Sequence, residues 1–441
     1  MITAPRLKFF NFVQLRQNQF SLLPLLALFF TTLQSIPAFA ASSLEIMSYN
    51  VENLFDSVHD EDKEDYTFLS TKSPLKKAGC ARALTFYYRK QCYETDWNER
   101  KLNVKLNQIK RLVLEERERL PNVLALTEVE NEKVLSRLAE TLGYTDFVMT
   151  NSPDQRGIDV ALLYKLPKGF KKISHKEHNL FEMGIINSKT RNLLQVTFQA
   201  PGPKAEKIHV FVNHWPSQAS PTEKRLQIAQ YLAAQIKEIL KIKGNHVVAV
   251  GDFNTLPKET PNPIGSTLTT KKNPLLYDLQ TEFEEKAPED LVRKLPPGSH
   301  YYASKKSWSH LDKILVSKGL LEESQGNENS VQVDLETYDI YAPDFITTHS
   351  DKNNEDSYDD TDKVLEEVVV NFEMDYQVNS YRGAANNYNN NSHDGFVTTR
   401  KSLVGTSWPK TKVPVRYDFT SVSPDTAGFS DHLPLVIEIK Y

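Results

Sequence analysis

Six short apolar runs in this sequence each carry an acid, an amide or a histidine at one end. Asn50 follows 44–49, Glu128 follows 123–126, His214 follows 208–212, and Asp252 with Asn254 follows 247–250. Asp312 precedes 313–316, and Asp431 and His432 precede 433–439. Polar side chains at one edge of a sheet can converge on a pocket without entering the core. Acids, amides and imidazoles gathered there suit a divalent metal and a phosphate.

Within Gly251-Asp252-Phe253-Asn254 the Asp can orient or deprotonate a water, and the neutral Asn can donate to a phosphoryl oxygen without adding repulsion; the competing reading is an Asx turn. In Ser430-Asp431-His432, Asp431 can lean toward a metal while His432 shuttles a proton, with Asp312 as the carboxylate that fixes its tautomer. A capped surface turn would read the same. Glu128 at the end of a buried strand is costly unless paired or metal-bound, and Asn50 can add an amide oxygen; helix or turn capping is the alternative for both. Asn213 and His214 are placed to hold a phosphate or a leaving oxygen, unless the imidazole is satisfied beside Trp215. Arg156 can clamp a phosphate and Asp159 can orient His214, or the two can pair with each other. Tyr301, Tyr302, Lys305, Lys306 and Trp308 set aromatic faces beside cations, which suits a nucleobase and its phosphate; a solvated hairpin tip has the same composition. His175 and His178 read as loop residues. No Gly-rich nucleotide loop and no Cys/His zinc spacing occurs.

The elements that must position these residues follow from periodicity. Over 98–119, Leu102, Leu106, Ile109 and Val113 fall on one helical face among charges. A second helical pattern runs over 131–142 to Gly143, and a third over 222–240 after Pro221. Residues 159–164 and 246–250 read as strands. Wholly apolar strands imply sheets covered on both faces, so two packed sheets with helices outside use this much chain. If neighbouring strands run antiparallel, Asp252 comes beside Asp312, His432 and Glu128. Residues 57–98 form a long excursion, with 59–65 a solvated charged loop. Residues 321–429 separate the last two motifs by more than an ordinary loop and read as an inserted subdomain, with strands at 364–370 and 372–374.

The first 40 residues have the form of an export signal: Arg6, Lys8 and Arg16, an apolar run over 21–30, and Ala38-Phe39-Ala40 before the expected cut. A membrane anchor is the alternative, but Pro24 and Gln34 interrupt a barely sufficient span. Residues 41–441 then form one large domain, secreted or periplasmic. The formal net charge of −4, more negative once the signal's cations are gone, argues against a basic coat that grips nucleic acid in bulk. Cys80 and Cys92 would meet an oxidising compartment and pair as a disulfide; free thiols or a metal pair are the alternatives.

In order, Tyr49-Asn50-Val51-Glu52-Asn53, Glu128, Asp159, Asn213-His214, Asp252 with Asn254, Leu311-Asp312 and Ser430-Asp431-His432 resemble the endonuclease/exonuclease/phosphatase superfamily, the group of DNase I, exonuclease III, sphingomyelinases and inositol-polyphosphate phosphatases. The opening motif and Asn213-His214-Trp215 look most like its bacterial, often secreted, nuclease-like branch. The resemblance implies an α/β fold, a four-layer α-β-β-α sandwich of two mostly antiparallel, mixed sheets. It implies phosphoester hydrolysis with Mg²⁺ or Mn²⁺, Ca²⁺ being a further option. Glu128 would hold the metal, helped by Asn50 and Asp431. Asp252 would handle the water, Asn254 and His214 would bind phosphate, and His432 oriented by Asp312 would complete a proton relay. The expected activity is a DNA or RNA nuclease. The alternatives are a phospholipid or small-molecule phosphoesterase, with a membrane lipid as substrate, and a non-catalytic binding module. No protein partner is inferable.

Overall fold

The computed structural model describes residues 43–83, 86–117, 119–321, 330–349 and 403–441. Along the chain come β1 (Ser43–Leu54), α1 (Pro74–Ala81), α2 (Phe86–Glu94), α3 (Glu99–Leu114), β2 (Val123–Val129), α4 (Glu132–Leu142), β3 (Asp146–Met149) and β4 (Asp159–Tyr164). Then follow β5 (Lys171–His178), β6 (Leu193–Gln199), β7 (Lys207–His214), α5 (Thr222–Leu240), β8 (Asn245–Asp252), β9 (Tyr277–Asp278), α6 (Leu279–Lys286) and α7 (Glu289–Lys294). The last are β10 (His300–Tyr302), β11 (Ser307–Ser309), β12 (Asp312–Val316), β13 (Gln332–Ile340), β14 (Thr347–His349), β15 (Lys412–Pro414) and β16 (Leu435–Lys440).

Two six-stranded sheets carry the fold, ordered β13-β16-β1-β2-β4-β3 and β5-β6-β7-β8-β12-β9. Each is antiparallel except for one central parallel pair, β1 with β2 and β7 with β8. The sheets face each other through β1 and β2 against β7 and β8; α3 and α4 cover the outside of the first, and α5 covers the second. This is the expected four-layer α/β sandwich. Strands β1, β2, β7 and β8 are buried along almost their whole length, as unbroken apolar runs require when both faces are covered.

Helix α3 begins where Asn98 accepts from the Arg100 and Lys101 amides, an N-cap that satisfies donors with no intrahelical partner. It ends at Leu114, short of the expected 119; the apolar stripe stops at Val113, and Arg117 turns away to Glu45 and the Tyr341 ring. Burial of Leu102, Leu106, Ile109 and Val113 stabilises its seat by roughly 1.5–3 kcal/mol each. Helix α4 is capped by Asn131 and closed by Gly143 at φ +86°.

Three expectations change. The 59–65 segment is the expected loop, with Glu61, Asp62 and Glu64 exposed, but it is pinned at other residues. Asp65 is buried and binds His59 Nδ1 at 2.5 Å, while Lys63 Nζ reaches the carbonyls of Ser152 and Asp154 at 2.8 and 3.0 Å. His178 is no loop residue; it closes β5 fully buried, between Tyr231 Oη at 2.7 Å and Gln195 Oε1 at 3.0 Å. The insertion expected over 321–429 is narrower. β13 lies inside that span yet forms the edge of the first sheet against β16, and β14 pairs with β15. The strands expected at 364–370 and 372–374, like the export signal, lie outside the described residues.

Candidate active site

The polar residues gather where the two sheets meet. Antiparallel register sets Asp312 opposite Asp252, and parallel register sets His214 beside Asp252. Strand β8 runs on through Gly251 to Asp252. Gly251 has φ +120°, and a Cβ there would stand 2.1 Å from the Asn213 carbonyl oxygen, so close strand approach, not a turn, demands the glycine. Glu128 is re-aimed by a break in register between Thr127 and Val129, the signature of a bulge. Its φ is +66°, and Glu52, Asn53 and Asn254 are also left-handed at +51°, +63° and +48°. Four strained non-glycine residues at one site mark a backbone held by its surroundings for function.

Asn50 links the sheets. Its Nδ2 lies 3.4 Å from both Glu128 Oε1 and Asp252 Oδ2, and its Oδ1 accepts from the Glu52 amide at 3.0 Å. That oxygen keeps a second lone pair that a cation could use, while Nδ2 is a donor toward the two acids. Glu128 Oε2 accepts from the Asn53 amide at 3.0 Å. His214 Nε2 stands 3.7 Å from both Glu128 Oε1 and Asp252 Oδ2. Burial, then the charges of Arg191, Arg156 and His432, hold His214 well below the ordinary histidine range, so the imidazole is neutral.

Asp252 is set by Asn254, whose backbone N–H donates to Oδ1 at 2.8 Å and whose Nδ2 donates to Oδ2 at 2.9 Å. Asn254 Nδ2 also donates to the Trp215 carbonyl at 3.1 Å. Its amide hydrogens are therefore committed, and it positions Asp252 rather than reaching for a phosphate. Burial, with Asp312 and Glu128 nearby, pushes the Asp252 carboxyl up to about 7 against the opposing pull of His432.

His432 Nδ1 meets Asp312 Oδ2 at 2.7 Å. Burial disfavours its charge, but Asp312, Asp431 and Asp252 outweigh it and hold His432 well above the ordinary range. Ser430 fixes the turn, donating to the Asn50 carbonyl at 2.9 Å and accepting from the His432 amide at 3.1 Å. Asp431 takes Arg416 Nε at 3.6 Å. Burial would raise its pKa, yet Arg416, His432 and His300 bring it down to about 2.

Several weaker expectations are corrected. Asp159 does not orient His214: it accepts from Thr150 Oγ1, the Ser152 amide and Ser152 Oγ, and His214 Nδ1 has no partner among the described residues. Arg156 is exposed and leans on Asp154 at 3.8 Å, not on Asp159. Asn213 is a fully buried bracket, donating to the carbonyls of Phe211 and Val250 and accepting from Trp215 Nε1. Tyr301 packs on Trp308 at 5.2 Å across the β10–β11 hairpin, and Lys305 Nζ lies 5.4 Å from the Tyr302 ring centre. Cys80 and Cys92 form the expected disulfide.

Five site residues went unassigned in the sequence. Glu52 accepts from Arg416 Nε at 2.5 Å and from the Asp431 amide at 3.1 Å. Lys105, fully buried, donates to the Glu52 carbonyl at 3.0 Å, and burial lowers it to about 8. It stands three residues after Leu102 and four before Ile109, so the helical stripe itself could have flagged it. Buried Arg191 holds Asp154 at 3.4 Å and the Trp215 carbonyl at 2.6 Å. His300 pairs with His432 across an isolated bridge, and His300, Asp431 and His432 each offer a ligand atom within 4.8 Å of the others. The charged form of His432 that its neighbours favour donates rather than ligates, so this trio suits a proton path better than a metal.

A divalent cation fits the Glu128–Asp252 side of the site. Two carboxylate oxygens face the same amide and the same neutral imidazole, and their ion-pair contact among the described residues is that imidazole. Hard oxygen donors left with negative charge are what such ions take. Around Glu52 and Asp431, by contrast, Arg416 and Lys105 already supply positive charge.

Residues 88–360 match the model of the endonuclease/exonuclease/phosphatase family. No curated protein matches the chain. Among solved structures, the human Nocturnin catalytic domain with bound sulfate is 14% identical, with a TM-score of 0.44 over 90% of this chain and 94% of that one. A Bacteroides thetaiotaomicron protein of the same family is 12% identical, with a TM-score of 0.42 over 91% and 99%. D. rerio TDP2 complexed with a single-strand DNA product is 10% identical, with a TM-score of 0.43 over 91% and 100%. The chain belongs to the endonuclease/exonuclease/phosphatase family and is a phosphoesterase of that family.

Proposed function

We propose that the chain is an exported, divalent-metal-dependent nuclease that hydrolyses phosphodiester bonds in DNA or RNA, of the family's bacterial secreted branch. The observation that carries the catalytic part is geometric: His432, leading into one sheet, bonds Asp312 of the other at 2.7 Å, and Asp312 stands opposite Asp252; burial raises Asp252 to about 7, and Asp312 holds His432 up. Asp252, aligned by Asn254, accepts a proton from the attacking water. As the bond from phosphorus to the leaving oxygen breaks, the charged His432 donates its proton to that oxygen, matching the proton taken up at Asp252. Neutral His214 orients the phosphate through Nε2. Glu128, with Asn50 beside it, would hold Mg²⁺ or Mn²⁺, which when bound supplies charge neutralisation at the phosphate. The paired cysteines and the signal-like start support export.

Plasmid, RNA, sphingomyelin and inositol phosphates, each with Mg²⁺, Mn²⁺, Ca²⁺ or EDTA, test the reading. Nucleic acid cleavage that EDTA stops is the expected result. Release of a headgroup or of inorganic phosphate alone would move the activity to the other phosphoesterases, and no turnover on any substrate would contradict catalysis on these esters.

A further inference from the structure

Residues 72–93 contain six cations and no acid, in a chain of net charge −4. Lys72, Lys77, Arg82, Arg89 and Lys90 are exposed; Lys76 turns inward and holds the carbonyls of Tyr66, Thr67 and Leu69. Interleaved with these cations are exposed apolar side chains: Phe86 at 80%, Leu75 at 50% and Tyr93 at 41%. The disulfide ties α1 to α2. The root of this arm is anchored by Phe55 stacked on Phe68 at 3.9 Å and by Trp97, whose Nε1 donates to the Phe55 carbonyl at 3.1 Å. The arm therefore presents its charge from a fixed base.

Both ends of the arm are at the site. It leaves β1 just after Asn50 and Glu52, and it returns into α3, whose second turn carries the Lys105 that reaches Glu52. Of the acids at its root, Asp65 faces His59, Asp60 faces Asn131 and Glu64 stands 4.0 Å from Arg82, while Glu61 and Asp62 are exposed. Beyond that root cations predominate, with the exposed Glu94 at the end of α2 as the acid among them. Along helix α2 the exposed rings of Phe86, Tyr88 and Tyr93 are interleaved with the exposed Arg89 and Lys90. A helix lying on a membrane instead segregates an apolar face, whereas dispersed rings between cations suit bases and phosphates.

We propose that the α1–α2 arm is a docking surface for single-stranded nucleic acid, with Lys72, Lys77, Arg89 and Lys90 on the phosphates and Phe86 and Tyr93 stacking on bases. It rests on the nuclease reading and names where the strand is held outside the catalytic cleft. The acidic chain thus concentrates its grip in one appendage.

Full-length His432→Ala protein, which cannot turn over, is titrated with fluorescent oligothymidylate at increasing salt. Replacing Lys77, Arg89 and Lys90 together by Gln is expected to flatten the slope of log K against log[salt] by about 2, at roughly 0.7 per lost single-strand contact. Phe86→Ala is expected to weaken binding about tenfold with the slope retained. In the active background the triple variant should keep wild-type hydrolysis of bis(p-nitrophenyl) phosphate while its KM for long strands rises. Unchanged oligonucleotide affinity and slope in the triple variant would overturn the arm alone, provided strands are still cut. Loss of binding to phosphatidylglycerol vesicles with oligonucleotide binding unchanged would also overturn it, in favour of a lipid surface. A protein that hydrolyses the small diester but neither binds nor cuts strands would overturn the nuclease reading with it.

Discussion

Asp312 Oδ2 and His432 Nδ1 are 2.7 Å apart and come from different sheets: Asp312 opens β12 of the second, and His432 leads into β16 of the first. Asn50 with Asp252, and Glu128 with His214, bridge the same seam. The site is therefore assembled by sheet packing, and its charges are tuned by that packing.

The Asp312 carboxylate keeps His432 charged. Asp312→Asn removes that support, so His432 loses its proton at a lower pH. Activity in the variant should fall by about 10²–10⁴-fold at neutral pH, and its basic limb should move to lower pH while the fold by circular dichroism is retained. A basic limb at the wild-type position would contradict the role given to Asp312.

Glu128 offers a half-buried carboxylate oxygen beside Asp252. Glu128→Gln removes the charge while leaving an acceptor for the Asn53 amide. Calorimetric titration with Mn²⁺ should show affinity reduced at least about tenfold. Equal affinity would place the cation elsewhere.

The Cys80–Cys92 bridge closes a loop of 12 residues. Replacing both cysteines by Ser should lower stability by roughly 3 kcal/mol and leave hydrolysis of a small diester intact. Lost chemistry in a still-folded protein would contradict the structural role of the bridge.

His178 is buried between Tyr231 and Gln195, and burial lowers it to about 4. The unfolded chain protonates this residue near 6.5, so between 6.5 and 4 the unfolded state binds more protons. Its contribution is fully present above 6.5 and is lost as pH falls through that window, by about 3 kcal/mol. Urea unfolding of His178→Asn across this range should show a shallower pH dependence than wild type. An identical slope would contradict the assignment.

The sequence made legible what local chemistry dictates. Apolar runs marked the strands, Asn98 and Asn131 marked helix starts, and the polar residues at strand ends marked the site because register joins Asp252, Asp312 and His214 in one sheet and packing brings up Asn50, Glu128 and His432 from the other. It did not reveal which face each side chain takes after a bulge or a long return. Asn254 and Asn213 carry the expected chemistry, but their amides are consumed by Asp252, Trp215 and backbone carbonyls. Arg416 meets Glu52 across 364 positions, and no local pattern announces such a contact. Lys105 was hidden by its charge, although its place in the helical stripe pointed inward.

The central claim is that Asp252 and His432 act as one unit on a phosphodiester. A double-mutant cycle on Mg²⁺-dependent plasmid cleavage, using Asp252→Ala, His432→Ala and the pair, tests it most directly. Each single substitution is expected to abolish nearly all cleavage, and the pair to be worse than either by less than about tenfold. Losses that multiply, or cleavage that survives either single substitution, would contradict it.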